Sequence, residues 1–114
     1  MIKISITENK EAKAFTLKVE GHAGQAEAGK DIICASASML SFTVAQYAKF
    51  MFDRHQLKKK PTIHLEDGNA EVTIKPKTEF YAEAMHTYFV AQVGFSLLAH
   101  NYPQYVEFTG FKEV

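Results

Sequence analysis

The sequence predicts an α+β fold in which two helices pack on a mainly antiparallel or mixed sheet. The element order is strand, strand, helix, strand, strand, helix, strand. Short segments with alternating apolar and polar residues occur in pairs joined by turn residues, which is typical of hairpins. Two longer segments carry apolar residues at helical spacing, and each follows such a pair. Because hairpins dominate over strand–helix–strand units, an α+β fold is favoured over a parallel α/β fold.

The first hairpin is predicted from two runs in which every second residue is apolar. The apolar residues are Ile2, Ile4 and Ile6 in the first run and Phe15, Leu17 and Val19 in the second. Such alternation buries one face of each strand. The polar residues 8–11 turn the chain between the runs, so we expect the two strands to pair antiparallel.

A loop and a long helix are predicted next. Residues 21–30 contain three glycines and no β-branched residue, which predicts a mobile loop. Asp31 then stands at the expected N-cap of a helix over about residues 32–55. The apolar ladder of this helix is Ile33, Ala37, Leu40, Val44, Tyr47 and Met51, widened by Phe42, Phe50 and Phe52. We therefore expect the helix to be largely buried.

A second hairpin and a second helix complete the fold. Residues 63–66 and 71–75 alternate in polarity, and Asp67 and Gly68 between them form a strong hairpin turn signal. Thr78 is the expected cap of a helix over about residues 79–100. The buried stripe of that helix is predicted as Phe80, Ala84, Tyr88, Ala91, Phe95 and Leu98. The segment with Tyr105, Val106 and Phe108 is predicted as a last short strand.

Composition limits the classes of function. The 114 residues are enough for one domain, which we expect to span residues 1–114. Thirteen basic and thirteen acidic residues cancel, so direct nucleic-acid binding is not expected. A single cysteine excludes an internal disulfide and fits a reducing compartment. The sequence has neither a signal peptide at its start nor an apolar run near the ~20 residues of a membrane span, so we expect a cytoplasmic protein without membrane contact.

Cofactor and metal chemistry find no support in the sequence. The glycines match neither a phosphate-binding loop nor a dinucleotide-binding fingerprint. The acidic residues and histidines form no cluster with metal-ligand spacing. We therefore expect neither a cofactor nor a metal.

The residues best suited to chemistry lie between Gly21 and Ser38. Cys34 is predicted one turn into the first helix, where unpaired N–H groups and the helix dipole stabilise a thiolate. His22 follows the preceding strand and is placed to accept the thiol proton. A cysteine flanked by Ile and Ala is also typical of a small buried hydrophobic residue, and this interpretation stays open. Asp31 is a cap that would also hold His22, and Ser38 faces the same way as Cys34 because it lies at i+4.

Gly-His-Ala at 21–23, a glycine-bearing loop, Gly-Lys-Asp-Ile-Ile-Cys-Ala at 29–35 and the serine at 38 resemble the ribosomal-processing cysteine protease family Prp. The resemblance extends over the whole chain, to the Tyr-Pro-Gln-Tyr segment at 102–105. It implies that His22 and Cys34 form a catalytic dyad. It also implies supporting or substrate-binding roles for Gly21, Asp31 and Ser38.

The resemblance further implies a function. Members of this family are cysteine endopeptidases that remove the N-terminal extension of a large-subunit ribosomal protein, need no cofactor and form homodimers. An apolar or aromatic residue is expected just before the scissile bond. An alternative from another class is a non-enzymatic, ribosome-associated module whose loop at residues 21–30 grips a peptide or RNA. The neutral charge argues against RNA as its ligand.

Overall fold

Two helices cover one face of a five-stranded sheet in the computed structural model, which describes residues 1–23 and 28–114, with only the backbone of residues 28–31. The strands are β1 (Ile2–Asn9), β2 (Ala14–Gly21), β3 (Thr62–Glu66), β4 (Asn69–Ile74) and β5 (Val106–Glu113). The helices are α1 (Ala28–Asp53) and α2 (Tyr81–Asn101), and a short 3-10 turn, Thr78–Phe80, leads into α2. The predicted α+β class and element order are confirmed.

The sheet is mixed, with the strand order β3-β4-β2-β1-β5. Both predicted hairpins are present, and β2 also pairs antiparallel with β4. Only β1 and β5 run parallel, from Ile2 opposite Val106 to Glu8 opposite Glu113. The pairing of β2 with β4 brings the β3–β4 turn next to the end of β2, which is where the candidate site forms.

The last strand is longer than predicted. It runs past Gly110 to Glu113, and a glycine inside a strand often marks a bulge. The pairing shifts register between Ile4 and Ile6, and Gly110 has a φ of +90°. A glycine at this irregularity absorbs an extra residue as a bulge, so the ladder continues past it.

The core lies between the sheet and the inner faces of the helices. Its strand residues with at most 2% exposure include Ile4, Ile6, Phe15, Leu17, Val72 and Ile74. From the predicted stripe of α2, all residues except Phe80 are buried. The hydroxyl of Tyr88 donates a hydrogen bond of 2.9 Å to the carbonyl oxygen of Val72, which fastens α2 to the sheet.

The prediction that α1 is largely buried is wrong. Ile33, Ala37, Val44 and Met51 are buried, but the four aromatic residues of the predicted apolar face are exposed. These are Phe42 (49% exposed), Tyr47 (41%), Phe50 (50%) and Phe52 (38%). A two-layer fold covers only the side of a helix that faces the sheet, so apolar residues elsewhere on its circumference stay outside.

The start of α1 also differs from the prediction. The helix begins at Ala28, so Asp31 belongs to its first turn and is not the N-cap. The predicted loop is therefore helical over residues 28–30, and its residues 24–27 lie outside the described part of the chain. Ala28 and Lys30 favour helix, and Gly29 costs only about 1 kcal/mol relative to alanine, which is why the glycine count misplaced the boundary.

The other helix ends agree with prediction to within a few residues. Helix α1 ends at Asp53, and His55 takes a left-handed conformation with a φ of +61°. Thr78 opens the 3-10 turn rather than capping α2 with its side chain. Within residues 1–23 and 28–114, neither helix has the length and apolar character needed to cross a membrane.

Candidate active site

A pocket of about 290 Å³ opens at the end of the sheet where β2 finishes and the β3–β4 turn begins. Side chains from α1 and the first residue of β1 also line it. The lining residues are Ile2, Val19, Gly21, His22, Cys34, Ala37, Ser38, Ser41, Phe42, Leu65, Glu66, Asp67, Gly68, Asn69 and Ala70. We call this space the site pocket.

His22 directly follows β2, and its backbone is held from two sides. The nitrogen of Met1 donates a hydrogen bond of 2.5 Å to the carbonyl oxygen of His22. The N–H of the preceding Gly21 donates to the carbonyl oxygen of Gly68 at 2.9 Å. Gly21 has a φ of +94°, and a Cβ there would collide with the carbonyl oxygen of Met1. The turn into His22 therefore requires glycine.

The imidazole of His22 stands at the mouth of the site pocket. Its side chain is 57% exposed, and Nδ1 lies 3.9 Å from Oδ1 of Asp67. Gly68 lies beside the other ring nitrogen, since a Cβ built on it would be 2.5 Å from Nε2. The ring is thus flanked by both residues of the β3–β4 turn.

Cys34 lies on the α1 side of the same pocket. It is partly buried and packs against the core cluster, next to the buried Ile33. Ser38 follows one turn later on the same face and is exposed to the pocket. The structure thus brings Gly21, His22, Cys34 and Ser38 of the predicted site to one pocket. The side chain of Asp31, the fifth predicted residue, lies outside what the structure describes.

The predicted electrostatic effect of the helix terminus on Cys34 is wrong, because α1 begins earlier than expected. Cys34 comes six residues after Ala28, beyond the first four N–H groups that lack a helical partner. The influence of the dipole falls off within the first turn. The N–H of Cys34 likewise lies inside the helix, where such groups pair with a carbonyl oxygen one turn earlier. The imidazole of His22 remains as a group in the site pocket of the kind that activates a thiol.

The described residues form no metal-binding site. Among them, no three or more histidine, cysteine, aspartate or glutamate side chains are grouped so as to hold an ion. Two carboxylates line the site pocket: Glu66 is the last residue of β3, and Asp67 lies in the β3–β4 turn.

Comparison with known families assigns the chain to a family. The model of the family described as Cysteine protease Prp matches residues 1–107. The chain belongs to the Prp family. It is therefore a cysteine protease.

Solved structures agree with this Prp assignment. Prp from S. aureus with a covalently linked product peptide is 25% identical, with a TM-score of 0.66 over 98% of this chain and 100% of that one. Prp from S. aureus with a substrate peptide is 24% identical, with a TM-score of 0.67 and the same coverage. SMU.848 from Streptococcus mutans is 22% identical, with a TM-score of 0.69 over 100% and 96% of the two chains, and shares the fold. No curated protein matches the chain significantly.

The contribution of the β3–β4 turn to this Prp pocket is not predictable from local sequence patterns. Asp67 and Gly68 were predicted as a turn, but not as neighbours of His22. The missing information is the pairing of β2 with β4, which sets Glu20 opposite Asn69. Alternation predicts each hairpin by itself and does not indicate how the two hairpins join.

Proposed function

We propose that this protease removes the N-terminal extension of a large-subunit ribosomal protein, with Cys34 as nucleophile and His22 as general base. The observation that carries the proposal is that His22 and Cys34, from different elements, line the same pocket. The S. aureus Prp structures with a substrate peptide and with a covalently linked product peptide support a peptide substrate and a covalent step.

The first half of the reaction forms an acyl-enzyme. His22 takes the proton from the Cys34 thiol, and the Sγ thiolate attacks the carbonyl carbon of the scissile peptide bond. As the tetrahedral intermediate collapses, the C–N bond breaks and the imidazolium gives its proton to the leaving amine. The amine leaves as the new N-terminus of the trimmed protein, and the extension stays on Cys34 as a thioester.

The second half releases the extension. His22 removes a proton from a water molecule, whose oxygen attacks the thioester carbonyl. The C–S bond breaks, the proton returns to Sγ, and the extension departs with a new carboxyl group. The cycle consumes one water and needs neither a cofactor nor a metal.

The remaining predicted site residues have supporting roles in this scheme. Gly21 allows the left-handed turn that aims His22. Ser38 lies one helical turn from Cys34 and contacts the substrate or supports the dyad. For Asp31, whose side chain lies outside what the structure describes, the resemblance to the family implies a supporting role near the start of α1 and towards His22.

The site pocket offers apolar surface for the residue that precedes the scissile bond. Phe42 on α1 and Leu65 on β3 line it and are 49% and 39% exposed. Exposed apolar side chains that line a pocket are suited to cover an apolar group of a ligand. We assign them to the apolar or aromatic residue expected at that position of the substrate.

We also propose that the enzyme acts in the cytoplasm as a homodimer, in which a second copy covers the outer side of the helices. Exposed apolar residues there include Met39 (64%), Val90 (71%), Val93 (60%) and Leu97 (58%). Between α1 and α2 lies a groove of about 290 Å³, which we call the outer groove. Its lining residues are Leu40, Thr43, Val44, Tyr47, Thr87, Val90 and Ala91. Such a surface favours burial by a partner of similar character.

The competing function, a binding module without catalysis, is disfavoured by the match to a cysteine protease family over residues 1–107. The two functions differ in one measurable product. A binding module leaves the ribosomal protein at its full mass, whereas the protease shortens it.

The test is incubation with the extended ribosomal protein of the same organism, followed by mass spectrometry. We expect one new N-terminus with the wild type and none with Cys34→Ala. Ser36→Ala is the matched control, because its hydroxyl bonds back to the Ile32 carbonyl at 2.8 Å and it does not line the site pocket. An uncut substrate with wild type, or wild-type cleavage by Cys34→Ala, would refute the proposal.

A further inference from the structure

We propose that the β3–β4 turn positions His22, with Asp67 orienting the imidazole and Gly68 keeping its second nitrogen accessible. This inference rests on the proposed function, because it takes His22 as the base that acts on Cys34. Asp67 and Gly68 are positioning residues here, since they act through His22 and not on the substrate.

Asp67 selects the orientation of the ring. Its Oδ1 lies 3.9 Å from Nδ1 of His22. A carboxylate beside Nδ1 favours the tautomer with its proton on that nitrogen. Nε2 then carries the free lone pair and is the atom able to accept the thiol proton. The distance exceeds that of a hydrogen bond, so the interaction in this structure is between the carboxylate charge and the dipole of the neutral imidazole.

Gly68 keeps space at Nε2. A Cβ at position 68 would stand 2.5 Å from Nε2 and 2.9 Å from Cε1, so any larger residue must push the ring away. The φ of Gly68 is +77°, which also favours glycine. The same residue therefore shapes the turn and leaves the proton-accepting nitrogen open.

Backbone contacts hold the β3–β4 turn in place next to His22. The carbonyl oxygen of Gly68 accepts the 2.9 Å hydrogen bond from the N–H of Gly21, the residue before His22. Next to it, Asn69 pairs with Glu20 in the β2–β4 ladder. Because backbone hydrogen bonds connect the two segments directly, a change in the turn is transmitted to His22.

The size of the Asp67 effect follows from its exposure. Its side chain is 99% exposed, so water and salt screen its charge. The interaction free energy of exposed charged pairs is small. If Asp67 contributes such an energy to the transition state, its loss changes the rate roughly two- to fivefold. The effect should appear in kcat, since ring orientation matters for the proton transfer and not for binding of the peptide.

The first test compares Asp67→Asn with Glu20→Gln. Asparagine keeps a good hairpin turn but removes the charge, and Glu20 is a nearby carboxylate paired with Lys18 outside the site pocket. With a peptide spanning the cleavage site, we expect Asp67→Asn to lower kcat two- to fivefold at unchanged KM. The ring 15N shifts of His22 should move towards a mixture of tautomers. Unchanged kcat and unchanged 15N shifts in Asp67→Asn would overturn the role of Asp67.

The second test compares Gly68→Ala with Gly110→Ala. Gly110 has a similar φ of +90°, but a Cβ there meets nothing within 4 Å, so it reproduces the backbone strain alone. We expect both variants to lose similar thermal stability, whereas kcat falls at least tenfold only in Gly68→Ala. A kcat of Gly68→Ala within twofold of that of Gly110→Ala would overturn the role of Gly68.

The two proposals fail in different ways. If His22→Ala retains cleavage, the dyad is wrong, whatever the turn variants do. If His22→Ala is inactive while the turn variants keep wild-type kcat and 15N shifts, the dyad stands and the positioning role is wrong.

Discussion

The hydroxyl of Tyr81 donates a hydrogen bond of 2.5 Å to Oε2 of Glu8, whose side chain is only 4% exposed. The pair joins the start of α2 to β1 at the end of the sheet away from His22. Tyr81→Phe removes the partner of a buried carboxylate, so we expect a loss of about 1–3 kcal/mol in the free energy of unfolding. Urea denaturation measures it. Tyr47→Phe, at an exposed tyrosine, should change stability by less than about 0.5 kcal/mol.

Alkaline pH should destabilise the protein through its tyrosines. Burial, followed by the hydrogen bond to Glu8 and its charge, raises the pKa of Tyr81 to about 12 from its usual 10.0. Burial also raises the pKa of Tyr88. The folded state therefore keeps protons that the unfolded chain releases, so stability is complete below pH 10 and falls as the pH rises towards 12.

Thermal melts between pH 8 and pH 12 check this expectation, with the absorbance of tyrosinate as a second signal. In Tyr81→Phe the decline of the melting temperature across this range should be shallower than in the wild type. An equally steep decline in the variant would remove Tyr81 as a cause.

The reactivity of Cys34 should depend on His22. Because the helix terminus is too distant to activate the thiol, His22→Ala should slow alkylation of Cys34 by iodoacetamide at neutral pH at least tenfold. Reaction rates followed by mass spectrometry measure the effect. His64→Ala, on the polar face of β3, should alkylate like the wild type. Equal rates in all three proteins would mean that another group activates the thiol.

Phe42→Ala should weaken substrate binding without destabilising the fold. The ring is 49% exposed, so its loss leaves no core cavity, and we expect a change of less than about 1 kcal/mol in stability. If Phe42 covers an apolar substrate residue, KM should rise about tenfold, in line with the loss of a buried aromatic contact. Steady-state kinetics with the cleavage-site peptide test this. Phe52→Ala, an exposed phenylalanine outside the site pocket, is the control.

Val90→Glu should separate a dimer without unfolding the chain. Val90 is 71% exposed and lines the outer groove, so a charge there disturbs only a partner that covers it. Sedimentation at micromolar concentration should give a dimer for the wild type and a monomer for Val90→Glu. Thr62→Glu, at an exposed position of β3, should remain dimeric. A monomeric wild type would contradict the homodimer.

Local sequence patterns predicted the strands, turns and helices, because each of these elements depends on residues close together in the sequence. The alternation of Ile2, Ile4 and Ile6 and the turn at Asp67 and Gly68 depend on backbone geometry within a few residues. The start of α1 was misplaced because glycines outweighed good helix formers. Exposure of Phe50 was missed because a hydrophobic pattern does not reveal whether a protein or a solvent layer lies against it.

The site likewise contains residues that local sequence patterns predict and residues that they do not. His22 and Cys34 were predicted as site residues because their segment resembles a family motif and because their side chains are of the types that serve as base and nucleophile. Asp67 and Gly68 were missed as site residues because their approach to His22 depends on β2 pairing with β4. That contact joins residues about fifty positions apart, and no local period encodes it.

The parallel pairing of β1 with β5 has a consequence for synthesis on the ribosome. Ile2 pairs with Val106, so about a hundred residues must be added after the first strand before its second neighbour exists. At 5–20 residues per second, that interval is about 5–20 seconds. Throughout it, β1 presents unpaired N–H and C=O groups along one edge, which is the form in which strands associate with other chains. A nascent chain of this protease is thus open to misassembly at this edge until its final strand is completed.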